Sequence, residues 1–412
     1  MPELVLRNVR PWGGAAVDLR VAGGRITSMF PHDADDPRAL TGAPDTVFVD
    51  GRGLLGLPGF VNAHAHLDKS WLGLPWVSYG GEATTEGRIR HERAHRDELG
   101  IPSVATTTTL LTKMVSLGTT AFRSHVDVDL GVGLDGIRHV RDAVAGIGAP
   151  VGLEVVAFPQ DGVLRRPGVL DLLDRAAAEG ADHIGGLDPA SIDRDPVGQL
   201  DALFGIADRR GVGVDIHLHD GGELGAFQYE LIVERTRALG LAGRVNIAHG
   251  FAIGDVQAVR QRALVEAVAD AGITITTVAP VNAPRLPLTE LREAGVSVGL
   301  GTDGIRDLWG PYGDGDMLRL ATRMAQLAGW RRDEDLEAAV RIASSDAAPF
   351  VGREVHDLVV GAAADVVLVD AANVQEALVE APPRQLVISG GVVVVDALSG
   401  GEQGGRAARP VL

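Results

Sequence analysis

Apolar and polar positions alternate in short runs at both ends of the chain, and longer, nearly continuous apolar runs lie between them. At the start, "LVLRNV", "AVDLRVAGGRITSMF" and "TVFVDGRG" alternate around Gly-rich turns; "ADVVLVDA" and "QLVISGGVVVVDALSG" do the same at the end. Each set is small for a core of its own. Together they predict one β-sandwich over residues 1–58 and 355–412, made by pairing the two ends of the chain. The last dozen residues, "GEQGGRAARPVL", read as a frayed tail.

Between these segments run "LLGLPGFVNAHAHL", "TTAFRSHVDVD", "PVGLEVVAFPQ", "DHIGGLDPA", "GVGVDIHLHD", "RVNIAHG", "TITTVAP" and "VSVGLGTDG". Helical patterns such as "LDGIRHVRDAVAGIG", "VLDLLDRAAAEGA" and "PVGQLDALFGIADRRG" separate them, often ending at Gly. Eight strands alternating with helices predict an α/β fold, a (β/α)8 TIM barrel over residues 59–354. An open doubly wound sheet is the alternative. It lacks a glycine phosphate loop after any strand, and "GVGLDG" at 131–136 does not sit at a strand–helix junction.

In a barrel, function gathers at the C-terminal ends of the strands. The runs end in His64 and His66; His125, Asp127 and Asp129; Gln160; Asp188; His217, His219 and Asp220; His249; and Asp303. Six of the 12 histidines lie at such ends. Residues i and i+2 of a strand point to one face about 6.6 Å apart, so His64 and His66 can converge on one ion at about 2.0–2.1 Å each. Taken alone, an HxH is more often a solvated or core-edge pair. With His217, His249 and Asp303 at later strand ends, it reads as part of a metal site.

Composition narrows the rest. The chain is 45% hydrophobic and 23% charged, as expected of a globular protein with a large core. Without cysteine there is no thiolate catalysis and no Cys-based metal site. A formal charge of −17 argues against nucleic acid as a partner. No apolar leader or membrane-spanning run occurs, so a soluble cytoplasmic protein without a membrane partner is expected. The exposed flanks of the sandwich and barrel would allow a homo-oligomer.

The segments "PGFVNAHAHLDKS", "SHVDVD", "VVAFPQDG", "VDIHLHDGGE", "NIAHG" and "GTDGIRDLWGPYGDGDML" resemble, in order, the amidohydrolase superfamily, and within it the branch of cytosine deaminase and N-isopropylammelide amidohydrolase. The resemblance implies that His64, His66, His217 and Asp303 ligate one divalent ion, zinc ahead of iron or manganese, and that His249 contacts the water it activates. It also implies that Asp220 is the proton-shuttling carboxylate, that Gln160 reads the amide edge of the ring, and that Trp309 lines the pocket. Asp303 would share in accepting the water's proton. Three departures bear on the substrate: Asp220 stands where cytosine deaminases commonly carry Glu, Gly304 where they carry a second Asp, and His219 makes the motif "HLH". Gly304 is expected to leave room for a bulkier or differently hydrogen-bonded ring than cytosine.

Other residues admit two readings. His219 is a substrate contact or a hydrogen-bonded spacer; His125, with Asp127, lines the pocket or buttresses a ligand. Asp188 caps the next helix or joins the site. Trp71 is an aromatic wall or packing. Arg306 pairs with Asp307 or reaches a substrate carboxylate. Glu223 reads as a surface or capping acid, and Asp68 with Lys69 as an ion pair orienting the loop. Neither of the two lysines, Lys69 and Lys113, lies on the third or fourth strand, where binuclear relatives carry a carboxylated lysine, so one metal is expected. The expected function is hydrolytic deamination of a small nitrogen heterocycle, an aminopyrimidine, aminotriazine or cyclic guanidine. Ring opening of a cyclic amide or imide is the rival, and a catalytically retired binding protein is the alternative of another class.

Overall fold

The computed structural model describes residues 2–399; the expected frayed tail, 401–412, lies outside them. Strands β1 (Leu4–Pro11), β2 (Val17–Ala22), β3 (Arg25–Pro31) and β4 (Val47–Pro58) come first. The barrel strands are β5 (Phe60–Ala65), β6 (Thr119–Asp127), β7 (Gly152–Phe158), β8 (His183–Leu187), β9 (Gly213–Leu218), β10 (Val245–His249), β11 (Thr274–Thr277) and β12 (Val298–Leu300). Three follow: β13 (Val366–Val369), β14 (Arg384–Ser389) and β15 (Val392–Asp396).

The terminal strands form one mixed sheet in the order β15-β14-β13-β4-β1-β2-β3. The long β4 joins its halves, pairing parallel with β1 and antiparallel with β13. Leu6, Leu19 and Ile26 from one half share a buried apolar core with Val366, Leu386 and Ile388 from the other. The two layers are therefore two halves of a continuous sheet curled around one core.

Strands β5 to β12 are parallel and ordered by sequence, the eight runs read from the hydrophobic pattern. The seam between β12 and β5 is closed just past the end of β12. Asp303 N–H donates to His64 O at 3.0 Å. Asn62 Nδ2 donates to Thr302 Oγ1 at 2.8 Å, and Thr302 N–H donates back to Asn62 Oδ1 at 3.1 Å. Only glycine fits at 301, where a Cβ would lie 2.3 Å from His64 O. Closing the barrel is thus what carries Asp303 beside the HxH pair.

Between β5 and β6 the helix Thr85–Leu99 packs over the C-terminal mouth. Thr84 Oγ1 caps it by accepting from Gly87 N–H, and Gly100 ends it in the left-handed region. Arg96 pins it to the end of β6, donating to Asp129 Oδ2 at 2.6 Å and Oδ1 at 3.0 Å. Ile89 joins a small apolar cluster with Phe158, Leu187 and Ile192, so one face of a highly charged helix is buried against the site.

Candidate active site and metal centre

His64, His66, His125, His217 and His249 are all buried at the strand ends. Ring centroids are 4.1 Å apart for His64–His125, 4.7 Å for His64–His217 and 4.9 Å for His64–His249. Burial drives His217 and His249 well below the ordinary imidazole range, His66 to about 4 and His125 to about 3. His66, His125, His217 and His249 are therefore held neutral, the form in which imidazole binds a metal.

The donor set fits a divalent ion. His217 Nε2 lies 3.3 Å from His66 Nε2, and Asp303 Oδ1 lies 3.3 Å from His66 Nε2 and 3.7 Å from His64 Nε2. Tetrahedral ligands at 2.0–2.1 Å are separated from each other by about 3.3–3.4 Å. Both ring nitrogens of His64 are buried without a hydrogen-bond partner among the described residues, an arrangement costly unless something binds there. His64, His66, His125 and His217 form one group of converging donors; His64, His249 and Asp303 form another.

His125 sits below the mouth rather than on it. Its Nε2 faces Asp215 Oδ1 at 3.2 Å. Asp215 also accepts from Asn246 Nδ2 at 2.9 Å and Arg123 Nη1 at 3.2 Å. Burial opposes the charge on Asp215, but His125 and Arg123 outweigh it and hold the carboxylate well below its usual range. Of the two readings of His125, the geometry excludes substrate contact, because the ring does not line the cavity.

A cavity of about 770 Å³ opens above the cluster, lined by His66, His217, His219, His249 and Asp303, and by Lys69, Gln160 and Trp309. Five non-glycine residues at the barrel-strand ends or just beyond have positive φ: Asp188 (33°), His249 (65°), Ala279 (47°), Asp303 (60°) and Arg306 (46°). Backbone strain of this kind collects where a site fixes its side chains.

Asp188 stands at the N-cap of the short helical turn Pro189–Asp193, but its side chain makes no capping bond. Its Oδ2 lies 2.8 Å from His219 Nδ1, and its Oδ1 accepts from His219 N–H at 2.5 Å. Burial lowers the pKa of His219, yet the charge and hydrogen bond of Asp188 more than offset this and raise it. The His219 ring lies 4.3 Å from that of His249. Asp220, expected as the proton shuttle, is turned away: its carboxylate accepts from Ser191 Oγ and from Gln228 Nε2, and it does not line the cavity. The strand ends at Leu218, and Asp220, three residues past His217, is out of phase with the i,i+2 alternation that would aim a side chain inward. Glu223 is an exposed acid 3.5 Å from Arg260.

Beneath one wall lies a buried charged network that the sequence did not reveal. Lys69 Nζ is 2.9 Å from Asp127 Oδ1 and 3.6 Å from Glu92 Oε1, and it donates to Gln160 Oε1. Gln160 Nε2 donates to Glu92 Oε2 at 3.0 Å and Asp127 Oδ2 at 3.3 Å; Trp309 Nε1 also donates to Glu92. Both amide hydrogens of Gln160 are thus engaged, so its amide is a strut holding Lys69 in place rather than a free reader of a ring edge. The expected ion pair of Lys69 with Asp68 is replaced by pairing with Asp127 and Glu92, while Asp68 accepts from Asp127 N–H at 2.9 Å. Burial raises Asp127 well above the carboxylate range, only partly offset by Lys69, whereas Lys69 keeps Glu92 ionised against its burial. Glu92 escaped notice because "RIRHERAHRDEL" has the composition of a solvated helix face. Trp71 is buried, donating through Nε1 to Asp307 O at 3.2 Å, and serves packing.

Two expectations around the last strand are corrected. Gly304 does not leave space for a larger ring, because Asp307 Oδ2 lies 1.6 Å from where a Cβ at 304 would stand. Asp307 does not pair with Arg306; its Oδ1 accepts from Trp309 and Gly310 N–H, each at 2.8 Å. Burial, with the nearby charge of Glu92, raises the Asp307 carboxyl to about 7. Between about pH 4 and 7 the folded chain therefore holds a proton the unfolded chain has released, so this group's contribution to stability falls as pH rises across that window. Asp307→Asn keeps the acceptor and removes the titration. It is expected to stabilise the fold by roughly 1–4 kcal/mol more at pH 8 than at pH 5. Thermal unfolding of both proteins at the two pH values checks this, and an equal shift at both would contradict it.

Barrel, strand-end histidines and aspartate together mark a hydrolase fold with a cluster of side chains that could hold a metal ion. The chain belongs to the amidohydrolase family, which matches residues 104–395. It is 30% identical to the N-isopropylammelide isopropyl amidohydrolase of Pseudomonas sp. (strain ADP) over 369 residues, 84% of this chain and 87% of that one. The crystal structure of N-isopropylammelide isopropylaminohydrolase from Burkholderia multivorans superposes with a TM-score of 0.89 at 41% identity, covering 96% of this chain and 98% of the other. A 5-methylcytosine deaminase from Klebsiella pneumoniae shares the fold, with a TM-score of 0.80 at 24% identity over 98% and 99% of the two chains. The protein is accordingly an enzyme that hydrolyses carbon–nitrogen bonds.

Proposed function

We propose that this enzyme hydrolytically removes ammonia or an amine from a small nitrogen heterocycle, with residues 59–354 as the catalytic unit. The observation that carries the reading is the set of buried histidines and Asp303 at ligand–ligand spacing beneath a cavity fit for a small molecule. We assign His64, His66, His217 and Asp303 to one divalent ion, zinc in preference to iron or manganese, with His125 buttressed by Asp215 behind them. Three imidazoles and one carboxylate suit several divalent metals, and a tetrahedral set favours zinc. When bound, the ion lowers the pKa of its water from 15.7 to about 7 and so supplies a nucleophile at neutral pH.

The chain's own residues handle the protons. His249 is neutral, lines the cavity and has both ring nitrogens free of partners among the described residues, so it can accept a proton from the attacking water. His219, oriented by Asp188, stands beside it and can return a proton to the departing nitrogen. Lys69, fixed by Gln160, Asp127 and Glu92, presents a permanent donor to a ring carbonyl or nitrogen, and Trp309 supplies an aromatic wall. The balance is simple: a new C–O bond forms and the exocyclic C–N bond breaks. N=C–NHR and water become HN–C=O and H2NR. The similarity to two isopropylammelide hydrolases favours an aminotriazine or aminopyrimidine over a ring-opening substrate. Turnover of a panel of such rings by metal-replete protein, with ammonia or free amine as readout, tests the reading; action confined to hydantoins or dihydropyrimidines would contradict it.

A further inference from the structure

We propose that the heterocycle carries a carboxylate, and that Arg88 and Arg306 are the pair that binds it. This rests on the deaminase reading above and names the class of substrate within it. A cavity of about 770 Å³ is more than one bare ring fills. Both arginines line it. Arg88 lies one turn before Glu92 on the helix over the mouth, and its Nε is buried with no hydrogen-bond partner among the described residues. Arg306 stands three residues beyond Asp303. Its backbone is clamped on both sides: its N–H donates to Tyr312 O at 3.0 Å, and its carbonyl accepts from Trp71 N–H at 2.9 Å. The chain holds it at φ 46°, a conformation an arginine adopts only where its surroundings impose it.

The other charged groups around the cavity have hydrogen-bond or ion-pair partners, Arg323 only a neutral carbonyl. Asp307 accepts from two backbone N–H groups, and Asp314 Oδ1 accepts from Asp316 N–H at 3.0 Å. Asp316 caps a helix and accepts from Arg384. The charge of Lys69 is answered from below by Asp127 and Glu92. Arg323 donates to Val278 O at 2.9 Å, and Arg319 lies 3.6 Å from Asp316. Arg88 and Arg306 alone among the cavity's cations have no acceptor among the described residues. In a chain of formal charge −17, two guanidinium groups lining one cavity without an acceptor among the described residues call for an anion from outside. Their planar forks match a carboxylate, and a partly desolvated pair of this kind binds a charge far better than a neutral carbonyl.

The test compares matched rings with metal-replete protein: cytosine-5-carboxylate against cytosine-5-carboxamide, and an N-carboxymethyl ammelide against its carboxamide. The two pairs place the charge on the ring or on the departing amine. For at least one pair, kcat/KM should favour the carboxylate by about tenfold or more, the worth of one charged hydrogen bond. Arg306→Gln and Arg88→Gln should each bring that ratio toward one. If Arg306→Gln does not fold, Arg88→Gln, on a helix surface, carries the test. Efficient turnover of the neutral rings with ratios near one in both pairs overturns the proposal and leaves the deaminase reading standing. If no ring is turned over, calorimetric binding of the same pairs decides: carboxylate preference lost in the variants upholds the arginine pair while the deaminase reading falls, and equal binding overturns both.

Discussion

Asp303→Asn lowers kcat/KM by about 10³-fold or more and weakens metal retention. Loss of a group that merely orients a ligand costs about 10- to 100-fold, so neutralising the sole carboxylate of the set should exceed that. Asp303 Oδ1 lies within 3.7 Å of the Nε2 atoms of both His64 and His66, and its backbone closes the barrel seam on His64. Asn preserves the seam, because the backbone bond is unchanged, but removes the negative charge. The loss should therefore appear in metal content and turnover with little change in Tm of the metal-free protein. Metal analysis by mass spectrometry alongside steady-state kinetics checks both halves; full metal occupancy with wild-type turnover would remove Asp303 from the site.

His249→Asn lowers kcat by about 10²- to 10⁴-fold, the usual worth of a positioned acid–base group, while the protein keeps its metal. The ring stands at the end of the sixth barrel strand, with both nitrogens unpartnered among the described residues and its neighbour His219 at 4.3 Å. Its loss leaves no neutral base at that point, because Asp188 raises the pKa of His219. The pairing with His217→Asn separates the roles: that variant should lose metal. If His249→Asn loses the metal and His217→Asn keeps it, the two assignments are exchanged.

These residues were legible in the sequence because barrel geometry converts chain position into place. An HxH on a strand must aim both rings the same way, and a strand-end residue must face the mouth; His217, His249 and Asp303 followed from that alone. What escaped detection arises where the regular periods stop. Asp220 lies beyond the end of β9, in a turn whose direction is set by Asp188, Ser191 and Gln228. Asp307 fills the space over Gly304 because a tight turn at Trp309 and Gly310 folds it back. Glu92 and Arg88 sit on a helix whose charged composition conceals that one face is buried; only the packing of Ile89 and the anchor Arg96–Asp129 reveal it. The terminal strands show the opposite case: alternation and length were enough to pair the two chain ends, and the single-sheet connection through β4 came from its unusual length of 12 residues.

The most direct test of the central claim, hydrolysis of an exocyclic C–N bond, is the mass of the product formed in ¹⁸O-labelled water by metal-replete protein on an aminotriazine or aminopyrimidine substrate. The account predicts one labelled oxygen in an intact ring, released ammonia or amine in equal amount, and no product after the metal is stripped. A product that has gained the whole water molecule with its exocyclic nitrogen retained, the signature of ring opening, would contradict it, as would full activity in the stripped protein.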